Sequence, residues 1–137
     1  MSLVLDASVA IAWLFADETT DATEAIFDEV AAKGAIVPAI WSLEVANALQ
    51  KAMRRGRMTL AERELALGQL GYLPIEVDPQ THLEAWGATL ELADLHGLTP
   101  YDASYLELAR RERKPLATLD GTLARAAKDV GIELKTP

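Results

Sequence analysis

The sequence predicts an α/β domain in which helices cover both faces of a mainly parallel sheet of four or five strands, a three-layer α/β/α arrangement. Short apolar runs alternate along the chain with longer segments in which apolar residues recur at helical spacing. Such alternation is typical of a parallel sheet packed between helices. The 137 residues, half of them hydrophobic, suit a single domain over residues 1–137.

Five segments are predicted to be strands because each is short and apolar. Asp6 follows the first of them, Pro38 closes the second, and Asp78 ends the third. The fourth precedes Asp120, and the fifth is expected at an edge of the sheet. The predicted strands are residues 3–5, 35–37, 74–77, 116–118 and 132–134.

The segments between the strands are predicted to be helices, and several of them have start or stop signals. Thr59 and Glu62 form a capping box at the start of one helix, and Gly34 follows the end of another. The predicted helices are residues 7–15, 20–33, 39–55, 59–70, 80–96, 99–113 and 120–128. The helix at 80–96 is expected to carry Leu83, Trp86, Leu90 and Ala93 on one side.

Composition excludes several classes of protein. Cysteine is absent, so the chain has no disulfide framework and no thiolate site. His82 and His96 lie far apart without a patterned partner, so we expect no zinc site. No apolar run is long enough to span a bilayer, and the N-terminal residues do not resemble a signal peptide. The expected location is therefore the cytoplasm, away from membranes.

The net charge of −8 argues against binding nucleic acid over a broad basic face. The cations are nevertheless concentrated in two places, each where a helix is predicted to end. Stabilisation of helix C-termini explains both clusters, and this explanation is compatible with a local binding role. The clusters are Lys51, Arg54, Arg55 and Arg57, and Arg110, Arg111, Arg113 and Lys114.

Four acidic residues occupy positions where a functional site is expected. Asp6 and Asp120 each come just after a predicted strand, at the carboxyl edge of the sheet where such folds bind ligands. Glu44 lies with Asn47 on the flank of an apolar helical stripe, a position that can border a cleft. Asp102 lies in the first turn of its helix.

Each acid also has a structural explanation. Asp6 and Asp120 are good helix N-caps, and Asp102 can complete a capping box with Thr99. Glu44 can be a solvated helix residue. These explanations do not account for the collection of acids at one edge of the sheet. Clustered carboxylates need a neutralising cation, and oxygen ligands favour Mg²⁺ or Mn²⁺, which activate water against a phosphodiester.

Four stretches in the same order resemble the PIN-domain ribonucleases, most closely the VapC-type toxins of toxin–antitoxin pairs. They are Leu-Val-Leu-Asp-Ala-Ser-Val at 3–9, Leu-Glu-Val-Ala-Asn-Ala-Leu at 43–49, Leu-Thr-Pro-Tyr-Asp-Ala-Ser-Tyr-Leu-Glu-Leu-Ala at 98–109, and Leu-Ala-Thr-Leu-Asp at 116–120. Each stretch is a weak signal alone, but together they are specific. The resemblance implies a PIN-like fold and endonucleolytic cleavage of RNA that depends on Mg²⁺ or Mn²⁺.

The resemblance also implies roles for individual residues. The acids of the four motifs would bind the metal and catalyse cleavage, and three polar residues would support them. The acids are Asp6, Glu44, Asp102 and Asp120, and the supporting residues are Ser8, Asn47 and Thr118. The two hydroxyl side chains would orient carboxylates or water.

Proteins of the VapC type are usually homodimers that a cognate antitoxin protein neutralises, so the resemblance implies both kinds of partner. The acidic balance of the chain suits an antitoxin segment with a basic residue. Trp13, Phe15, Phe27 and Trp41 are candidates for lining its groove, although ordinary core packing also explains them.

Two other functions remain open from the sequence. A phosphatase-like domain with Asp6 as nucleophile usually needs an Asp-x-Asp pair, and here position 8 is Ser8. A degenerate PIN fold or a receiver-like binding module without nuclease activity would fit if one of the acids were missing, and all four are present.

Overall fold

The computed structural model of the protein describes residues 1–135, and its centre is a five-stranded sheet in the order β3-β2-β1-β4-β5. Every pair of neighbouring strands is parallel, as the sequence predicts. The single domain expected over residues 1–137 stays a prediction, and its last two residues lie outside the described range. The strands are β1 (Leu3–Leu5), β2 (Ala35–Val37), β3 (Ile75–Val77), β4 (Leu116–Ala117) and β5 (Leu134–Lys135).

The strand order changes direction at β1. The chain moves outward from β1 to β2 and β3, then crosses back to place β4 on the other side of β1. Val4 pairs with both Ile36 of β2 and Leu116 of β4, so β1 lies at the centre of the sheet. In parallel sheets of this kind, the crevice at such a reversal is the usual ligand site. Asp6 and Asp120 follow the two strands that flank it.

The helices match the predicted ones to within about two residues at most ends, as is usual for helix boundaries. Capping boxes begin two of them, at Thr20 and at Thr59. The helices are α1 (Ala7–Trp13), α2 (Asp21–Lys33), α3 (Trp41–Arg54), α4 (Leu60–Gly71), α5 (Thr81–Glu84), α6 (Leu90–His96), α7 (Pro100–Glu112) and α8 (Gly121–Asp129).

The prediction of one continuous helix over residues 80–96 is wrong. A π-helical segment, Ala85–Thr89, separates α5 from α6, and Gly87 within it has non-helical φ and ψ angles of −110° and −106°. Glycine tolerates this conformation because it has no Cβ atom. The four residues predicted to share one side of this helix therefore do not form one buried side. Trp86 is 94% exposed, Leu83 and Leu90 are also exposed, and only Ala93 is buried.

The predicted strand at 132–134 is also displaced, because β5 begins at Leu134. Gly131 has a positive φ of 79°, which turns the chain away from α8. The residues between Gly131 and Leu134 connect this turn to the edge of the sheet. The pairing of Leu134 with Leu116 then fixes the register of β5.

The helices form two groups around the sheet. Helix α1 contacts α2 and α3, whereas α7 contacts α6 and α8. Right-handed crossovers in opposite directions from β1 place these groups on opposite faces. Leu3, Val4 and Leu5 are completely buried between them. Within residues 1–135, no helix is both long and apolar enough to cross a membrane.

A largely buried ion pair links α7 to the residue that follows β3, the strand at one edge of the sheet. Asp78, which follows β3 and is 3% exposed, accepts hydrogen bonds from Arg111 of α7 at 2.6 and 3.2 Å. Arg111 also donates to Glu107 one turn earlier. Burial raises the pKa of Asp78, but the Arg111 guanidinium and the N–H of Gln80 outweigh it and hold that pKa below its usual value. The pair therefore holds α7 in place along the sheet.

We expect Asp78→Asn to lower the free energy of unfolding by about 1–3 kcal/mol at pH 7, because it leaves part of the Arg111 guanidinium without its charged partner. A carboxyl with a lowered folded pKa stabilises the protein above its unfolded pKa and loses this effect as the pH falls through the folded pKa. The difference between the two proteins should therefore shrink in acid, below the ordinary value of 3.8. Urea denaturation across this pH range measures it.

Asp28→Asn is the matched control, because Asp28 is an exposed acid of α2. It should change the free energy of unfolding little at any of these pH values. Equal effects of the two substitutions would contradict the stabilising role of the Asp78–Arg111 pair.

Candidate active site

A cavity of about 330 Å³ lies at the carboxyl ends of β1 and β4. All four acids singled out in the sequence line this cavity, together with two of the three supporting residues, Ser8 and Asn47. The lining residues are Asp6, Ala7, Ser8, Ile11, Glu44, Asn47, Ala48, Lys51, Asp102 and Asp120. Thr118 is buried just beneath this cavity and reaches Asp6.

Asp6 is the most buried of the four acids, at 6% exposure. Its Oδ2 atom accepts hydrogen bonds from Ser8 Oγ at 2.6 Å and from Thr118 Oγ1 at 2.7 Å. Both hydroxyls use the same oxygen, which leaves Oδ1 without a hydroxyl partner. Asp6 occupies the N-cap position of α1 but makes no side-chain capping bond. The Asp6 carboxylate is therefore held mainly by the two hydroxyls and not by helix capping.

The two hydroxyls are themselves held by the loop that follows β4. Ser8 Oγ accepts from the Leu119 N–H, and Thr118 Oγ1 accepts from the Asp120 N–H, each at 3.0 Å. Because each oxygen accepts from a backbone amide, its own proton is free to point at Asp6. Ser8 and Thr118 thus join the carboxyl ends of β1 and β4 through the Asp6 carboxylate.

Glu44 is held by a residue from the other helical layer. Tyr105 of α7 donates its hydroxyl proton to Glu44 Oε1 of α3 over 2.5 Å. The Tyr105 side chain is completely buried, whereas Glu44 is half-buried at the cavity wall. Burial and the neighbouring Asp6 carboxylate raise the pKa of Tyr105 far above its usual value, so it stays a hydrogen-bond donor.

Asp102 and Asp120 reach the cavity from the N-terminal ends of two helices. Thr99 Oγ1 accepts from the Asp102 N–H at 3.1 Å, which caps α7. Asp120 is itself the N-cap of α8, because its Oδ1 accepts from the N–H groups of Thr122 and Leu123 at 2.8 and 3.3 Å. The capping explanation is therefore correct for the Asp120 side chain, although this residue also borders the cavity.

Three of the acids, Asp6, Glu44 and Asp102, have raised pKa values. Burial is the largest cause of the raised pKa of Asp6, Glu44 and Asp102, and repulsion from neighbouring carboxylates adds to it in each case. A raised folded pKa means that ionisation opposes folding, so the contribution of these acids to stability improves as the pH falls toward their folded pKa values. The cavity is therefore a site that favours a positive charge.

The donor set suits a hard divalent cation, since carboxylate oxygens are the ligands that Mg²⁺ and Mn²⁺ prefer. Within residues 1–135, however, no three acidic or histidine side chains stand close enough together to form a ready-made metal site. Like charges repel in such a cavity, and the capping bonds of Asp120 hold it toward α8. Binding of one cation by all four acids therefore stays a prediction.

Tyr105 is the site residue that sequence reasoning missed. It lies three residues after Asp102 on the same helix, so the two share a face. That spacing was a usable signal, but a tyrosine in an apolar helix is more simply explained as core. Its contact with Glu44 joins residues 61 positions apart and depends on how α3 and α7 pack.

We expect Tyr105→Phe to raise the pKa of Glu44 further, because the Tyr105 hydroxyl bond is what lowers it. The free energy of unfolding should fall by only about 1 kcal/mol, since phenylalanine keeps the buried ring. Carboxyl chemical shifts of Glu44, followed by NMR against pH without metal, measure the first effect.

Tyr101→Phe is the control for this experiment, because Tyr101 lies on the same helix and is 63% exposed. It should leave the titration of Glu44 unchanged. An unaltered Glu44 titration in Tyr105→Phe would show that the phenol does not hold this carboxylate.

Comparison with known proteins agrees with this arrangement. The PIN domain family model matches residues 3–129. Ribonuclease VapC3 of Pyrobaculum aerophilum is 32% identical over 124 residues, which cover 90% of this chain and 93% of that protein. Ribonuclease VapC3 of Mycobacterium tuberculosis is 33% identical over 128 residues, which cover 90% and 86%.

A solved structure shares the fold. The crystal structure of PAE2754 from Pyrobaculum aerophilum superposes with a TM-score of 0.68 at 25% sequence identity, over 92% of this chain and 84% of that one. The match of the family model to nearly the whole chain, with two relatives above 30% identity, establishes that the chain belongs to the PIN-domain family.

Proposed function

We propose that the protein is an endoribonuclease that hydrolyses RNA phosphodiesters with Mg²⁺ or Mn²⁺. The observation that supports it most directly is the gathering of four acids from four separate elements around one cavity. The relatives named Ribonuclease VapC3 support the same activity and the choice of RNA as substrate.

In this proposal, Asp6, Glu44, Asp102 and Asp120 hold the cation, which supplies charge neutralisation and activation of water. The other side chains position these acids. Ser8 and Thr118 fix one oxygen of Asp6 and leave the second available. Tyr105 fixes one oxygen of Glu44 in the same way, and Asn47 provides an uncharged polar group at the cavity wall. The proposed metal ligands are Asp6, Glu44, Asp102 and Asp120, and the proposed supporting residues are Ser8, Asn47, Thr118 and Tyr105.

The other two functions fit these contacts less well. Ser8 donates to Asp6, so it supports that carboxylate and does not provide the second acid of a phosphatase pair. A binding module without catalysis has no need for three acids whose pKa values are raised by burial and mutual repulsion. Such costs are typical of functional sites.

The biological role that we propose is the toxin of a type II toxin–antitoxin pair, with a location in the cytoplasm. Trp13 and Phe27 pack edge to face at 5.1 Å and line an apolar cavity of about 450 Å³, which suits an apolar segment of an antitoxin. Phe15 and Trp41 are buried, so the core explanation applies to them.

We also propose a homodimer formed through the broken helical segment. Leu83, Trp86, Leu90 and Leu95 are exposed large apolar residues of α5, the π-helical segment and α6. Large exposed apolar side chains gathered in one segment of the chain are typical of an interface. Two-fold dimers are the commonest oligomers, and their interfaces are self-complementary.

Asp6→Asn tests the proposed activity. It keeps the shape of Asp6 and an acceptor for Ser8 and Thr118 but removes one anionic ligand, so RNA cleavage should fall about a hundredfold or more. Calorimetric affinity for Mn²⁺ should fall with it. The melting temperature without metal should stay level or rise, because the change removes a buried charge.

The control for this experiment is Asp94→Asn, an exposed acid of α6 outside the cavity. It should keep full activity. EDTA should abolish cleavage by the unmodified protein. Cleavage that survives EDTA, or full activity in Asp6→Asn, would refute a metal-dependent site at Asp6.

Trp86→Ser tests the dimer. We expect light scattering at micromolar concentration to show a dimer for the unmodified protein and a monomer for this variant, with little change in melting behaviour because Trp86 contacts little of its own chain. Tyr72→Ser is the control, since Tyr72 is 92% exposed on another surface. A monomeric unmodified protein would argue against the homodimer, and a dimeric Trp86→Ser would place the interface elsewhere.

A further inference from the structure

We propose that a single RNA strand runs from the acidic cavity along the C-terminal half of α3, with its phosphates held by Lys51 and Arg55. This inference rests on the proposed function and adds to it the path of the RNA strand and two residues that position the substrate. It depends on a second cavity, here called the side groove, which lies beside the acidic one.

The side groove has a volume of about 180 Å³. It shares Ile11, Ala48 and Lys51 with the acidic cavity, so the two form one continuous depression. Its lining is otherwise different, because it contains no acid except Glu18. The lining residues are Ile11, Phe15, Glu18, Ala48, Lys51, Ala52, Arg55 and Arg57.

The path follows one side of α3 by simple helical spacing. Glu44, Ala48, Lys51 and Arg55 are separated by four, three and four residues, the spacing of side chains on one face of a helix. From Glu44 to Arg55 the path measures about 16 Å at the rise of an α-helix. An acid therefore stands at one end of this side, small Ala48 in the middle, and two cations at the other end.

The charges of the side groove are not all available to a ligand. Arg57 pairs with Asp17 and Glu18 at 3.3 and 3.2 Å and lies 4.4 Å over the Phe15 ring, so its charge is already compensated. Lys51 and Arg55 are exposed, and neither forms a salt bridge within residues 1–135. They are therefore the two cations in this depression that can bind phosphates.

An RNA strand is the ligand that this layout fits best. A chain with a net charge of −8 repels a polyanion, and the acidic cavity repels it most strongly. Two uncompensated cations next to that cavity provide local attraction where the strand must approach it, and phosphate contacts of this kind position a nucleic acid. Stabilisation of the α3 C-terminus also explains cations here, but it does not require them to line the groove.

The experiment compares two double variants in the Asp6→Asn background, so that the RNA stays intact. Lys51→Gln with Arg55→Gln removes the proposed contacts. Arg110→Gln with Arg113→Gln removes the same charge from the end of α7, where neither side chain lines the acidic cavity or the side groove. The two pairs also match in their position at a helix C-terminus. The probe is a fluorescent single-stranded RNA of about 12 nucleotides, titrated with Mg²⁺ present at several salt concentrations.

We expect the Lys51 and Arg55 pair of substitutions to weaken binding about tenfold and to lower the salt dependence by one to two phosphate contacts. The control pair should bind as the background protein does. In the catalytically intact protein, the first pair should raise KM for RNA more than it lowers kcat. The difference in RNA binding between the two double variants would support the path even if the unmodified protein cleaved no RNA, an outcome that refutes only the proposed function.

Equal RNA affinity in the two double variants would overturn the inference, even for a protein that cleaves RNA. Loss of melting temperature without loss of RNA affinity would overturn it as well and leave helix stabilisation as the role of both cations. Unchanged RNA affinity with weaker binding of polyglutamate would also overturn it, since it would assign Lys51 and Arg55 to an acidic protein segment.

Discussion

The rest of the site depends on the hydrogen bonds that Ser8 and Thr118 donate to the buried carboxylate of Asp6. This carboxylate stands at the end of the central strand, where the order of the sheet changes direction, and ionises at a cost because it is 6% exposed. Two hydroxyls offset that cost, and each is held by a backbone amide of the loop after β4. The Asp6 carboxylate therefore adds a side-chain link between the carboxyl ends of β1 and β4 to the backbone pairing of these strands.

A second link crosses the sheet edge from one helical layer to the other. Tyr105 of α7 holds Glu44 of α3, and the Asp78–Arg111 pair fastens the opposite end of α7 to β3. The helix that supplies both Asp102 and Tyr105 is thus held at two points along its length. A buried phenol that donates to a carboxylate and an ion pair with satisfied hydrogen bonds both fix orientation more than they add stability. The geometry of the acids consequently depends on contacts well outside the cavity.

The sequence was sufficient for the parts of this structure that local physics controls. Short apolar strands, the capping box at Thr59, and acids placed directly after strands follow from spacing and chemistry. The break at Gly87 did not, because the apolar residues on either side of it keep helical spacing in the sequence. The contact of Tyr105 with Glu44 was equally inaccessible, since nothing in one sequence shows that these helices meet. That the acids bind metal stays a prediction from the chemistry of the acidic cluster and from the resemblance.

The distribution of charge has a consequence for how the substrate and the cation depend on each other. Four acids in one cavity repel both a phosphodiester and one another, so a bound cation favours RNA binding in the proposed site, and bound RNA must favour the cation by the same factor. Lys51 lines the acidic cavity but, within residues 1–135, forms no salt bridge to its acids, and Arg55 lies one turn farther along the chain. Both cations therefore remain able to attract a strand at the border of the cavity. In the proposed function, two cations beside the acids would let an acidic protein approach a polyanion while the acids stay available to a divalent ion.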